Sequence, residues 1–166
     1  MAYFAKLGVN GKVIQVVPFK DNRMLNAENI EDEEVGRQEL ENETGWPLWK
    51  QCSFNTHEGV HENASDGKTP LRANFPAIGD VYDEVNNIFY TPRDVGDESW
   101  TLNTTTGKFD PPTAMPPYSA STYTDENGDT VKYSYSWNES TGKWEGFNND
   151  RTTKLAIWNG TGWDSV

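Results

Sequence analysis

The sequence predicts a mainly β protein (α+β), with a small N-terminal β-module that contains one helix, followed by a series of aromatic β-hairpins. The main observation is a pattern that occurs three times between residues 100 and 163 of the 166-residue chain. Each copy is an aromatic strand, a turn rich in Asn, Ser or Thr and Gly, and a second aromatic strand. Asn folds its side chain onto the backbone to begin a turn, and Gly takes the positive φ that closes it. The copies occupy residues 100–109, 135–144 and 157–163.

Composition supports this fold class. The chain holds seven Trp, seven Tyr and seven Phe, although its mean hydropathy is −0.82. Disordered chains are poor in aromatic residues, so the low hydropathy does not indicate disorder. The combination is typical of thin β-structure, in which few side chains are buried but the buried ones are large.

The N-terminal module is predicted to begin with a hairpin. Two β-prone runs, residues 2–8 and 12–18, flank Asn10 and Gly11. Asn-Gly suits the primed turns that connect antiparallel strands. The second run is apolar at most positions on both faces, so it is predicted to be the central strand of its sheet.

One helix is predicted, within residues 26–43. Asn29 is the predicted N-cap, acidic residues follow it at the positive end of the helix dipole, and Gly45 is the predicted stop. An aromatic strand over residues 45–54 then completes a small ββαβ-like module at residues 1–55.

Hairpins and a linker are predicted for the rest of the chain. Residues 78–90 read as a hairpin with Asn86 and Asn87 at its turn. Four prolines then interrupt the chain, which is typical of a linker. The predicted division is an N-terminal β-rich module at 1–110, a Pro-rich linker at 111–117 and a C-terminal β-hairpin module at 118–166.

The charge of the chain restricts its partners. The sequence has 14 Lys and Arg against 26 Asp and Glu, a formal net charge of −12. A nucleic-acid binder needs a basic stripe to contact phosphates, and an anionic membrane surface also attracts basic segments. We therefore expect no nucleic-acid partner and no membrane partner. Two interpretations of the acidity stay open, namely solubility through self-repulsion and a partner with a basic face.

Cys52 is the single cysteine of the chain, so no intramolecular disulfide can form. Its β-like surroundings favour a small buried side chain over a reactive thiol. The N-terminus shows no secretion leader, so Asn-x-Ser/Thr triplets such as the one at Asn103 are interpreted as turns rather than glycan acceptors. We expect a protein of a reducing cytoplasm, or of a particle assembled there.

One motif suggests a metalloprotease. His57-Glu58-Gly59-Val60-His61 matches H-E-x-x-H, which binds zinc only when a helix brings both imidazoles to one side of the metal. Gly59 and the polar neighbours predict a loop instead, so a structural metal, a turn held by imidazole hydrogen bonds and ordinary loop polarity stay open. Residues 125–129 are acidic but lack EF-hand spacing, which favours a hairpin tip. No metal or cofactor site is predicted.

A characteristic order of motifs runs through much of the chain, at residues 3–6, 10–17, 49–61, 71–79, 82–83 and 100–103, and the hairpin at 135–145 takes part as well. This order resembles that of small proteins of marine tailed bacteriophages, chiefly contractile-tailed cyanophages and their pelagic relatives. In that family the His-rich loop usually has Gly where this chain has Glu58, so the resemblance implies an accidental H-E-x-x-H match. It also implies a component of the phage particle. The similarity spans about residues 2–112.

The resulting functional prediction is a non-enzymatic virion protein. A capsid decoration or accessory protein on the particle exterior is the leading interpretation, with the major capsid protein as partner. A tail, fibre or baseplate component is the alternative, with tail or fibre proteins as partners and a carbohydrate-binding role at the host surface. Whether copies of the chain associate with each other is open. The predicted interface residues are Trp100, Trp137, Trp144, Trp158 and Trp163.

Overall fold

The fold comes from a computed structural model that describes residues 1–63, 65 and 67–166. Strands hold 37% of the residues and helices 13%, which confirms the mainly β class with one α-helix. The chain divides into two compact units. The first unit comprises Met1–Pro92 and Leu102–Lys108, and the second unit comprises Arg93–Thr101 and Phe109–Val166.

A three-stranded antiparallel sheet organises the first unit. Its strands are β1 (Ala2–Leu7), β2 (Val13–Phe19) and β3 (Trp49–Cys52), in the order β2-β1-β3. The central strand is therefore β1, and the prediction that residues 12–18 form the central strand is wrong. Pro18 explains the difference, because proline donates no backbone hydrogen bond and is tolerated on edge strands.

The Asn-Gly hairpin between β1 and β2 is confirmed. Asn10 and Gly11 both adopt left-handed conformations, with φ values of 57° and 70°. A Cβ on Gly11 would lie 2.5 Å from the carbonyl oxygen of Tyr82. Glycine is therefore required there for its conformation and for the close approach of another backbone segment.

The helix, α1, spans Glu33–Thr44 and begins later than predicted. Asp32 is its N-cap, and the Asp32 Oδ1 atom accepts a hydrogen bond from the Glu34 amide at 2.8 Å. The prediction of Asn29 as the cap is wrong, since Asn29 has a φ of 65° in the turn before the helix. The predicted stop at Gly45 is confirmed by its left-handed φ of 70°.

The core of the first unit consists of two clusters of buried side chains. Phe4 and Trp49 lie in one cluster with the helix, at 0% and 2% exposure. Phe89 lies in the other, beside Cys52, which is buried as predicted. Gly36 of α1 faces Phe4 so closely that a Cβ would lie 2.7 Å from the Phe4 ring. This helical glycine is therefore explained by packing.

Three small hairpins follow the helix and β3 in the sequence. Their turns lie at residues 58–59, 84–87 and 104–107, and the tip of the third belongs to the first unit while its base belongs to the second. The strands are β4 (Thr56–His57), β5 (Val60–His61), β6 (Val81–Asp83), β7 (Ile88–Tyr90), β8 (Thr101–Asn103) and β9 (Lys108–Asp110).

The second unit contains a two-stranded hairpin and a four-stranded antiparallel meander, both formed by strands adjacent in sequence. The hairpin consists of β10 (Thr122–Thr124) and β11 (Thr130–Lys132). The meander consists of β12 (Ser134–Asn138), β13 (Lys143–Phe147), β14 (Lys154–Trp158) and β15 (Trp163–Ser165).

The repeated turns have the predicted construction. Asn103, Asn138 and Asn159 each accept backbone N–H groups on their side-chain oxygen two or three residues further along the chain. Gly107 and Gly142 close two of these turns with φ values of 67° and 63°.

A fourth turn of the same construction joins β6 to β7. Asp83 takes the place of Asn and accepts the amides of Val85 and Asn86, while Asn87 takes the place of Gly with a φ of 53°. Asp and Asn can make these substitutions because Asp is also a turn-forming acceptor and Asn tolerates the left-handed region.

The Pro-rich range 111–117 belongs to the second unit and not to a segment between two units. The indole N–H of Trp144 donates to the Thr113 carbonyl at 2.9 Å, and the Tyr135 hydroxyl donates to the Pro116 carbonyl at 3.2 Å. Pro116 is fully buried. The observed division of the chain therefore differs from the predicted one, because side chains of the meander hold the Pro-rich range.

Candidate binding surface

The predicted interface tryptophans meet in one continuous set of rings within the second unit, which we call the aromatic row. Neighbouring rings along the row have centroids between 4.7 and 6.2 Å apart, a separation typical of favourable aromatic pairs. The row consists of Trp100, Tyr123, Tyr133, Tyr135, Trp137, Trp144, Trp158 and Trp163.

Strand register places rings of the meander on one face of the sheet. Trp137 of β12 lies directly opposite Trp144 of β13, with ring centroids 5.4 Å apart. Trp158 of β14 lies directly opposite Trp163 of β15, at 5.5 Å. Directly opposite residues share a face, and residues two apart on a strand do too. The two aromatic hairpins therefore contribute to the same surface.

Small residues in the middle of the sheet make room for the row. Gly146 is paired with Tyr135 on one side and with Ala156 on the other. A Cβ on Gly146 would lie 2.9 Å from the Trp163 ring and 3.1 Å from the Tyr133 ring. Gly146 thus allows these two rings to lie across the strand and to connect the hairpins.

Exposure separates the five predicted interface tryptophans into two groups. Trp144 and Trp158 are buried, at 5% and 4% exposure. Trp100, Trp137 and Trp163 are half-buried. Only the second group presents aromatic surface in this conformation, so the first group supports the surface from below.

A carboxylate fixes one end of the row. The indole N–H of Trp137 donates to Glu139 Oε2 at 2.7 Å, and Ser99 donates to the same carboxylate through its amide at 2.6 Å and its hydroxyl at 2.9 Å. The Trp137 hydrogen bond is the main reason why the pKa of Glu139 is lowered, with Ser99 adding to the effect. Glu139 therefore holds residues 99–100 beside the meander in its charged form.

The remaining indoles of the row are held differently. Within residues 1–63, 65 and 67–166, no acceptor is found for the buried indole N–H groups of Trp100, Trp158 and Trp163. A buried donor without an acceptor costs about 1–3 kcal/mol. Ring packing must therefore hold these three indoles in place, in contrast to the hydrogen-bonded Trp137 and Trp144.

The H-E-x-x-H residues lie in the β4–β5 hairpin and not on a helix. Thr56 is paired with His61 and His57 with Val60, so the two imidazoles are on opposite faces of the hairpin. Glu58 is in the turn with a φ of 50°, and its carboxylate contacts Lys108 at 2.9 Å. Residues in this arrangement cannot place both imidazoles on one side of a zinc ion.

Two further observations bear on chemistry in the first unit. Burial raises the pKa of the Cys52 thiol to about 12, so this thiol is protonated and unreactive at neutral pH. Among the described residues, no group of three or more His, Cys, Asp or Glu side chains is arranged to hold a metal ion.

Arg72 is a central polar residue of the first unit that the sequence analysis did not single out. Its guanidinium contacts Glu33 at 2.7 Å, the Gln51 carbonyl at 2.9 Å and the Asn87 side chain at 3.0 Å. Only 7% of the Arg72 side chain is exposed. A single residue thereby joins the first turn of α1, β3 and the β6–β7 turn.

Asn74 plays a similar role among the three small hairpins. Its side-chain oxygen accepts the Glu58 amide at 2.8 Å, and its Nδ2 group donates to the carbonyls of Phe89 and Thr106 at 3.1 and 2.9 Å. A polar loop residue gives no local sign of such a role. In the sequence, Asn74 was noted only as part of residues 71–79, one of the stretches that carry the resemblance.

Comparisons with known proteins identify no relative of the chain. No protein-family model, no curated protein and no solved structure matches the chain. Over the described residues, none of the helical segments has the length and apolar character needed to cross a membrane.

Proposed function

We propose that the chain is a non-enzymatic structural subunit of a phage particle, which attaches to the exterior of the capsid through the exposed part of the aromatic row. The proposal of a phage particle rests on the sequence resemblance. The observation that supports the attachment surface is the grouping of Trp100, Trp137 and Trp163 as half-buried rings on a support of buried ones. Tryptophans anchored in this way are the residues that most often dominate protein interfaces.

A preformed surface lowers the cost of binding. The rings contact one another at 4.7 to 6.2 Å, and Glu139 and the Thr113 carbonyl hold Trp137 and Trp144. Because these side chains are already ordered, association does not have to freeze them. Such a surface suits an accessory subunit that adds to an assembled lattice.

Net charge favours attachment to the particle over association of free copies. The formal charge of −12 makes free copies repel each other, whereas a lattice site with basic residues neutralises part of that charge. The repulsion is screened by salt, with a Debye length of about 8 Å at physiological ionic strength.

Attachment can be tested by co-sedimentation with purified particles that lack the protein. Trp137→Ala should weaken binding by about 2 kcal/mol or more, roughly 30-fold, if Trp137 is an interface anchor. Trp46→Ala is the matched control, since Trp46 is a half-buried tryptophan of the first unit. Equal binding of both variants, or no co-sedimentation of the unmodified protein with particles, would reject the attachment surface.

Copy number separates the capsid from the alternative sites on the particle. Quantitative mass spectrometry of particles should give hundreds of copies for a capsid subunit. A small multiple of three or six would instead assign the chain to the tail, a fibre or the baseplate. The same Trp137→Ala variant then tests attachment to purified tails.

A further inference from the structure

A cavity of about 380 Å³ lies in the second unit, lined by residues of the β10–β11 and β13–β14 turns. Its volume lies within the range of about 300–1,000 Å³ that is typical of small-molecule sites. The cavity involves none of the tryptophans of the aromatic row. It shares Tyr123 with the row but includes none of the half-buried Trp100, Trp137 and Trp163, and it therefore offers a second recognition site.

The apolar part of the cavity is formed by Tyr123 and Leu155. Tyr133 stacks on one side of the Tyr123 ring, with centroids 5.0 Å apart and planes inclined by 28°. The stack holds the Tyr123 ring in place without a ligand. A rigid aromatic ring is a suitable platform for the C–H groups of a flat, partly apolar ligand.

The polar part of the cavity is equally preformed. Asp125 Oδ1 accepts the amides of Asn127 and Asp129, both at 2.9 Å, which fixes the β10–β11 turn. Asn148 Oδ1 accepts the Thr153 amide at 2.9 Å, which fixes the opposite turn. The predicted hairpin tip at residues 125–129 is thus confirmed, and its backbone is held beside the cavity.

Two polar side chains on the cavity wall are available to a ligand. Glu126 and Asn127 line the cavity, and their side chains make no hydrogen bond to any other residue that the structure describes. Together they offer carboxylate and amide oxygens as acceptors and an amide group as donor. Such a mixture of donors and acceptors matches hydroxyl groups, which both donate and accept.

Charge restricts the ligand further. Asp125 and Glu126 are the charged residues on the cavity wall, and no basic residue lines it. Anionic ligands are therefore disfavoured by repulsion. We propose that this cavity binds a neutral saccharide unit, with its C–H face on Tyr123 and its hydroxyl groups on Glu126 and Asn127. This inference does not rest on the proposed function, because binding can be measured on the free protein.

The test is a titration of the full chain, followed by ¹H–¹⁵N NMR. Methyl α-glucoside, methyl α-galactoside, methyl α-mannoside and N-acetylglucosamine serve as probes up to about 50 mM, a range that detects millimolar dissociation constants. At least one of them should shift the amides of residues 123–127, 148 and 153–155. Absence of shifts with all four, or shifts restricted to other residues, would overturn the proposal.

Two cavity variants and one control test whether the sugars bind in the cavity. Tyr123→Leu keeps an apolar strand residue but removes the ring, and it should weaken binding by about tenfold. Glu126→Gln removes the charge and should weaken binding a few-fold. Glu84→Gln is the matched control at the exposed tip of the β6–β7 hairpin and should leave the affinity unchanged.

Folding and ligand class are controlled separately. Thermal unfolding of each variant shows whether the second unit remains intact, and Glu126→Gln gives the decisive result if Tyr123→Leu unfolds. Glucuronic acid, CaCl₂ and tetramethylammonium chloride are the competing probes. A stronger response to any of these three than to the neutral sugars would replace the saccharide with an anionic or cationic ligand and overturn the proposal.

Discussion

The two units use aromatic residues in different ways. In the first unit, Phe4, Trp49 and Phe89 are 0–2% exposed and form the centres of compact clusters. In the second unit, Trp100 and Trp137 remain half-buried along a sheet face and contact other rings at 5.4 to 6.2 Å. The same residue type therefore stabilises one unit by burial, while in the other it also leaves a surface for a partner.

The most direct test of this difference between the units is to truncate one tryptophan in each of them. Trp49→Ala should destabilise the first unit by about 3–5 kcal/mol, because it opens a cavity in a closed core. Trp137→Ala should destabilise the second unit by about 2 kcal/mol. The substitution removes contacts with neighbouring rings, but it removes less buried area than Trp49→Ala does, because Trp137 is only half-buried. Native-state hydrogen exchange of β1–β3 and of β12–β13 measures the two losses. Equal losses would contradict the distinction.

The polar contacts of the first unit provide the next test. Arg72→Met should cost about 3 kcal/mol, because it leaves Glu33 and the Gln51 carbonyl without their partner. Arg37→Met is the control. Arg37 pairs with Glu34 and Glu41, whose side chains are 58% and 41% exposed, and such pairs contribute about 0–1 kcal/mol. Urea unfolding followed by circular dichroism should separate the two variants clearly.

Two glycines at equivalent positions of the repeated turns, one in each unit, allow a further comparison of the two units. Gly142→Ala should cost about 1–2 kcal/mol, since only the left-handed φ of 63° is unfavourable and nothing lies within 4 Å of the new Cβ. Gly107→Ala should cost about 1–3 kcal/mol more. Its Cβ would lie 2.6 Å from the Phe89 carbonyl oxygen and would also meet the Asn74 side chain. Similar losses in thermal unfolding would show that the tight contact in the first unit relaxes easily.

The smallest expected effect concerns pH and the second unit. The pKa of Glu139 is lowered in the folded protein, mainly by the Trp137 hydrogen bond, relative to about 4.3 for an unfolded chain. A lowered pKa stabilises the fold above about pH 4.3, and this contribution is lost as the pH falls through the folded pKa. An NMR titration should give a Glu139 midpoint below about 4.3.

Trp137→Phe serves as the control for this titration. It removes the indole donor but keeps an aromatic ring, so the pKa of Glu139 should rise towards its usual value. An unchanged midpoint in this variant would assign the shift to Ser99 alone.

Local features were the ones that could be predicted from the sequence. Asn10 with Gly11, and Asn138 with Gly142, form the expected turns because their side chains and permitted φ values act within five residues. The helix stop at Gly45 is equally local. The helix start was misplaced, because Asn29 and Asp32 are both acceptable caps and the surrounding turn decided between them.

The candidate sites were only partly predictable, because only their local features could be recognised in the sequence. The five tryptophans were identified from their positions beside turns, and strand register explains why they share a face. Nothing local distinguishes the buried Trp144 from the half-buried Trp137. The cavity beside Tyr123 was not predicted either, since it needs two turns that are about 25 residues apart in the chain.

By itself the sequence determined the hairpins, their turns, the alternation of aromatic residues and the acidity of the chain, because each depends on neighbouring residues or on composition. Only the tertiary structure decided which residues join distant segments. Arg72 contacts Glu33, Asn74 contacts the Thr106 carbonyl, and Trp144 contacts the Thr113 carbonyl, over separations of 31 to 39 residues. Such contacts depend on the packing of whole elements, which short-range conformational preferences do not encode.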